Sequence, residues 1–168
     1  MPIAALLAPK KNVEVPFEPE DHALGRSRGG FGTKIHLVCE GGGKPLVATL
    51  SGGQEHESKF FEELIGEISI AGNPGRPRSK PDNIAGDKAY SCSRIRDWLA
   101  RRGIGDVIPT KENEMRRKDF DKDAYRNRNI VERCIGWLKE CRRIATRFEK
   151  LAIHYMGMLK FAMILRYM

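Results

Sequence analysis

Residues 33–50 leave little choice besides a β-hairpin. Thr33, Ile35, Leu37 and Cys39 alternate with Lys34, His36 and Val38, a period of two that gives a strand two different faces. Glu40-Gly41-Gly42-Gly43-Lys44 supplies turn residues, and residues 45–50 return as a second strand. The apolar period then lengthens. Phe61, Leu64, Ile65 and Ile68 recur at helical spacing within residues 58–70, with Ser58 placed as N-cap. A Pro/Gly/Arg loop spans 72–81, and residues 83–90 read as a short strand with Asp87 near its end. Residues 93–102 predict a helix stopped by Gly103, 106–110 another strand, and 111–123 a charged connector. A helix from Tyr125 to about Phe148 follows, then a terminal helix after a break near Leu151. Strands and helices in this order predict an α/β fold. Residues 1–32 look irregular, with prolines at 2, 9, 16 and 19 and a Gly/Arg-rich run at 25–32.

Size and charge narrow the function classes. A chain of 168 residues suffices for one domain with a real core. The net charge is +8, and residues 87–150 carry eighteen Lys/Arg against eleven Asp/Glu. That excess suits a polyanion such as DNA, although charge also serves solubility alone. Cys39, Cys92, Cys134 and Cys141 form no C-x2-C pair, so neither a zinc knuckle nor a redox motif is indicated. Cys134 and Cys141 read as core packing in a reducing cytosol. Residues 1–7 are apolar but lack the basic start and cleavage site of a secretory signal. Residues 156–168, broken by Lys160 and Arg166, are too short to span a bilayer and read as a core helix.

Within the long helix, Tyr125, Arg128, Glu132 and Lys139 stand three, four and seven positions apart. At 100° per residue these offsets fall in one stripe roughly 60° wide. Ile130, Cys134, Trp137, Cys141 and Phe148 recur on the opposite side. A carboxylate flanked by two cations and a phenol suits a metal ion and a phosphate. The same stripe suits a solvated face with Arg128–Glu132 as an i,i+4 ion pair. Gly136 costs about 1 kcal/mol relative to Ala but allows close approach on the polar side. His36 reads as packed or hydrogen-bonded, and His56 as a loop and helix-start residue. Arg26, Arg28, Arg76 and Arg78 sit in Gly/Pro-rich stretches from which they can reach phosphates, or remain solvated charge.

Tyr125-x2-Arg128-x3-Glu132-x6-Lys139 resembles the Tyr-Arg-Glu-Lys signature of bacterial insertion-sequence transposases with an Asp-Asp-Glu active site. The resemblance, to the insertion-sequence-five/four group, extends over residues 20–31 and 33–37. It resumes at Gly53-Gln54-Glu55-His56-Glu57-Ser58, Gly75-Arg76-Pro77-Arg78, Gly86-Asp87-Lys88-Ala89-Tyr90 and Arg102-Gly103-Ile104. It implies a ribonuclease-H-like mixed sheet flanked by helices. Asp87 would be the second Asp and Glu132 the Glu, both catalytic and both ligands of Mg²⁺ or Mn²⁺. Arg128 and Lys139 would contact phosphate, and Tyr125 would position the strand or a terminal base. The implied chemistry is metal-dependent cleavage at element ends and strand transfer into target DNA. The implied partners are double-stranded DNA and further copies of the chain, in the bacterial cytoplasm at the nucleoid.

The sequence departs from that family at one point. The first Asp of the family lies on a first core strand upstream of residues 25–31, and this chain has no such strand. Asp21 falls in the connector, and Glu14 in Val13-Glu14-Val15 has a context unlike the family's. The reading is therefore an irregular segment, 1–24, before a truncated catalytic domain, 25–168, which by the family's pattern lacks its first core strand. Residues 3–7 or 13–17 would partly fill the gap, or another chain would supply the strand. The expectation is a fragment inactive alone, completed by an upstream-frame transposase product. The alternatives are a non-catalytic DNA-binding regulator and a decayed remnant.

Overall fold

The computed structural model describes residues 3–4, 22–71 and 75–168. Its strands are β1 (Ile3–Ala4), β2 (Gly25–Ser27), β3 (Gly30–Cys39), β4 (Pro45–Gly52), β5 (Asn83–Ala85) and β6 (Gly105–Val107). Its α-helices are α1 (Phe61–Gly66), α2 (Ser93–Arg101), α3 (Lys122–Arg126), α4 (Asn129–Glu140), α5 (Arg142–Ala145) and α6 (Ala152–Leu165). The expected hairpin is present, with Ile35 opposite Leu50 and Leu37 opposite Ala48. The period of two then sorts the core. Ile35, Leu37 and Cys39 pack toward Cys134, Leu138, Tyr155 and Leu159, on α4 and α6. Val38 belongs to the other core, with Phe61, Leu64, Ile95, Trp98 and Leu99 of α1 and α2. The hairpin sheet thus lies between two helical layers, an α/β arrangement.

β5 and β6 form a second, parallel two-stranded sheet. Among the described residues neither strand pairs with the hairpin sheet. Between the edge of β3 and the edge of β5 runs a groove of about 1630 Å³.

The Gly/Arg-rich run 25–32 is ordered where irregular chain was expected. β2 folds back on the start of β3, Ser27 opposite Gly30 and Gly25 opposite Gly32. Gly30 takes φ +105°, which a side chain would resist. At Gly53 a Cβ would lie 2.8 Å from the Gly25 carbonyl oxygen, so a glycine is required where β2, β3 and β4 converge. Such glycine-driven pairing leaves no apolar alternation to read.

The helix expected at 58–70 is shorter, a 3₁₀ turn over Glu57–Phe60 followed by α1. His56, rather than Ser58, caps the turn, its ring accepting from the Ser58 N–H. The helix expected from Tyr125 to Phe148 is divided. Arg128 N–H bonds back to Tyr125 O and Val131 N–H to Arg128 O, i to i+3 contacts that tighten the α3–α4 junction. Cys141 is extended and ends α4, and Phe148 lies beyond α5 at 65% exposure instead of on an apolar face. The terminal helix begins after Leu151 as expected and buries Tyr155 and Leu159. Among the described residues no helix is long and apolar enough to cross a membrane.

Of the segments proposed to fill the place of a first strand, Ile3 and Ala4 pair with Thr33 and Gly32 of β3. Residues 5–7, Glu14 with its neighbours 13–17, and Asp21 lie outside the described residues.

Candidate active site

The groove draws its walls from segments far apart in sequence. The chain leaves β5 at Gly86 and turns into a 3₁₀ helix over Lys88–Tyr90, which needs a donor-satisfying cap. Asp87 provides it, Oδ1 accepting from the Ala89 N–H at 2.8 Å. The carboxylate stays exposed on the groove wall. Glu132 enters from the other side, on the first turns of α4. Its Oε1 meets an Arg128 guanidinium nitrogen at 3.0 Å, and Glu132 remains 60% exposed. Arg128 also lies over the Tyr125 ring, 5.3 Å from its centroid, and Tyr125 rests against Phe120. The i,i+4 ion pair of a solvated face is therefore formed. It leaves Glu132 accessible.

Asp87 and Glu132, forty-five positions apart, line the same groove together with Arg128, Arg26, Arg28 and Arg78. Arg26, on β2, and Arg28, on the turn after it, are exposed along the groove. Arg78 also bonds Asp82 at 2.6 Å. Tyr125, Lys139 and Arg76 are not part of the lining. Lys139 sits on the last turn of α4, seven residues or roughly 10 Å along the axis from Glu132. Arg76 is exposed in the loop before β5.

Three further groove residues escaped the sequence reading. Glu57 pairs with Lys34 at 2.8 Å, and both face the groove. Burial, the largest influence, opposes ionisation of Glu57, but the Lys34 hydrogen bond, a backbone hydrogen bond and the charges of Lys34 and His56 together hold the carboxyl below its ordinary range. Tyr90 is pushed up to about 12 by burial, then by the nearby carboxylates of Asp87 and Glu57. The Gly53–Ser58 motif did point here, through Glu57 rather than His56.

Two carboxylates facing one groove are hard oxygen donors of the kind Mg²⁺ takes alongside water and phosphate oxygens. Among the described residues, no group of three His, Cys, Asp or Glu side chains is placed to hold a metal ion. The cysteines are free thiols; burial pushes those of Cys39 and Cys134 up, with Cys39 reaching about 11. Both therefore stay protonated packing groups.

The Transposase DDE domain family matches residues 10–165. A Burkholderia cepacia protein, assigned to insertion sequence element IS402 as its transposase, is 34% identical over 122 residues. The match covers 72% of this chain and 56% of that protein, so the chain spans little more than half of its relative's length. No solved structure matches the chain.

Proposed function

The chain belongs to the Transposase DDE domain family, and we propose that its groove receives double-stranded DNA and presents a phosphodiester to Asp87 and Glu132. One observation carries this reading. Asp87 and Glu132, from distant segments, line one groove together with Arg26, Arg28 and Arg128. Arg26 on β2 and Arg28 on the turn after it, both exposed, bind the backbone on either side of the scissile phosphate. Arg128 neutralises phosphate charge beside Glu132 and, stacked on Tyr125, holds its guanidinium in place. Lys139 and Tyr125, off the groove wall, engage DNA running along α4, and Arg76 and Arg78 extend the contact before β5. Asp87 and Glu132 would hold divalent Mg²⁺ or Mn²⁺, which supplies an activated nucleophile and stabilises the leaving oxygen in in-line phosphoryl transfer. The products in a complete enzyme are cleaved element ends and their joining to target DNA.

The same reading takes the two sheets as parts of one ribonuclease-H-like sheet whose first strand, and first catalytic carboxylate, are not among the described residues. With that first carboxylate outside the described residues, this reading expects DNA binding without cleavage.

Salt titration of duplex binding tests the groove. Each phosphate contact contributes about −0.9 to the slope of log K against log salt. Replacing Arg26, Arg28 and Arg128 together by Ala should flatten the slope by roughly 2 to 3, while Asp87→Ala leaves affinity undiminished. An unchanged slope in the triple variant would remove the groove as the DNA site.

A further inference from the structure

We infer that the outer face of α6 is a docking surface for an acidic amphipathic helix of another protein. The inference stands on packing and charge alone and does not depend on the DNA-binding reading.

α6 is apolar nearly all the way round, a composition suited to a helix enclosed on every side. One side is enclosed. Tyr155 and Leu159 are fully buried, and Ala162 and Met163 join them in the core shared with α4 and the hairpin. The other side is bare: Ile153 is 67% exposed, Phe161 57% and Ile164 59%. Together with Gly157 they fall, at 100° per residue, within one stripe roughly 80° wide and three turns long. Leu165 and Met168, also exposed, extend it at the C-terminal end. The apolar area comes to roughly 500 Å², at the upper end of what a lone soluble domain shows.

The shape of this surface suits a helix. The backbone groups of α6 are spent within the helix, so it offers no edge to a strand. A narrow apolar stripe is the seam along which two helices pack. Gly157 lies mid-stripe, and a Cβ there would meet nothing within 4 Å, which leaves a gap for a side chain of the facing helix. Two matching faces would bury about 1,000 Å² in all, enough for a weak, reversible contact.

Charge selects the partner. Residues 142–168 carry six Lys/Arg and one acid, Glu149. Glu149 is paired with Arg143 at 3.2 Å and its side chain is only 10% exposed. Arg147 is buried, and Arg166 lies over the Trp137 ring. Lys160, at the margin of the stripe, and Lys150, just before α6, are exposed and form no ion pair among the described residues. Carboxylates flanking the apolar ridge of a partner helix would answer them. A second copy would not, since it brings more cations and sets a net +8 against +8.

The test is fluorescence anisotropy of labelled peptides of about eighteen residues, titrated with the intact chain in the absence of DNA. The probe is an alanine-based helix with Leu at i, i+3, i+4 and i+7 and Glu on both flanks. One twin carries Lys in place of Glu, the other Ser in place of Leu. The Glu/Leu peptide should bind in the micromolar range, and both twins about tenfold or more weaker. Phe161→Ala with Ile164→Ala, both outward-facing, should weaken binding about tenfold and leave the thermal midpoint in place. Lys150→Glu with Lys160→Glu should reverse the preference between the Glu and Lys peptides. The inference is overturned if no peptide binds, if the charged twins bind alike, or if the double alanine variant keeps its affinity. Three rival occupants overturn it as well. A dimer in sedimentation that Phe161→Ala dissolves gives the stripe to a second copy. Peptide binding that appears only after deletion of residues 5–21 gives it to that segment. Preference for anionic vesicles over the peptide gives it to a membrane surface.

Discussion

His36 is a histidine kept from charging. It is 3% exposed, stacks on Phe60 at 4.7 Å, and shares a hydrogen bond of 2.7 Å with the Ser51 hydroxyl. Burial lowers its pKa to about 4, with Glu57 opposing and Lys34 adding to the shift. The folded value lies below that of the unfolded chain, so its contribution is intact above about pH 6.5 and lost as pH falls toward 4. The loss over that window is about 3 kcal/mol. Urea midpoints at pH 7 and pH 4.5 should differ accordingly, and His36→Gln should shrink the difference; an unaltered pH dependence in that variant refutes the assignment. Arg147 is a buried cation, 6% exposed. It donates to the carbonyls of His22, Glu149 and Lys150 and to the Thr33 hydroxyl, with its guanidinium over Tyr155. A lysine cannot reproduce this fork of donors. Arg147→Lys should cost about 3 kcal/mol or more by chemical denaturation, and a change under 1 kcal/mol would mean the ties are dispensable.

Among the elements, α4 carries an avoidable weakness. A Cβ on Gly136 would meet nothing within 4 Å, and the residue is exposed. Gly136→Ala should therefore raise stability by about 1 kcal/mol, seen as a higher thermal midpoint. No gain would indicate that the helix is not regular at that turn. The β3–β4 hairpin was legible because Ile35, Leu37 and Cys39 follow a strict period of two. α2 was legible from its stop at Gly103, and α6 from the apolar run at the end of the chain. The division of the signature helix was not, since the extended backbone at Cys141 leaves no mark in composition. The β2–β3 turn stayed hidden because Gly25, Gly30 and Gly53 act through missing side chains. Of the candidate site, Asp87, Glu132 and Arg128 were legible through the family signature. Lys34 and Glu57 were not, because strand and 3₁₀ geometry aims them into the groove. Arg147 was invisible for a related reason: backbone carbonyls, its main partners, have no residue signature.

For the molecule as a whole, catalysis demands more than this set of described residues provides. With Asp87 and Glu132 the two family carboxylates on the groove among the described residues, the purified chain in Mg²⁺ should bind supercoiled plasmid without nicking it. Nicking that Asp87→Ala abolishes would show the acidic set to be complete already. The two cores also mature on different schedules. One face of the hairpin is covered by α1 and α2, made soon after it. The other face waits for α4 and α6, about a hundred residues later. At about 5–20 residues per second, a ribosome would leave Ile35, Leu37 and Leu50 bare for roughly 5–20 s. Arg147, closing on His22 and Thr33, is a latch that cannot engage until nearly the whole chain has emerged. During synthesis this protein is a half-clad sheet, and that interval is when chaperones have most to do.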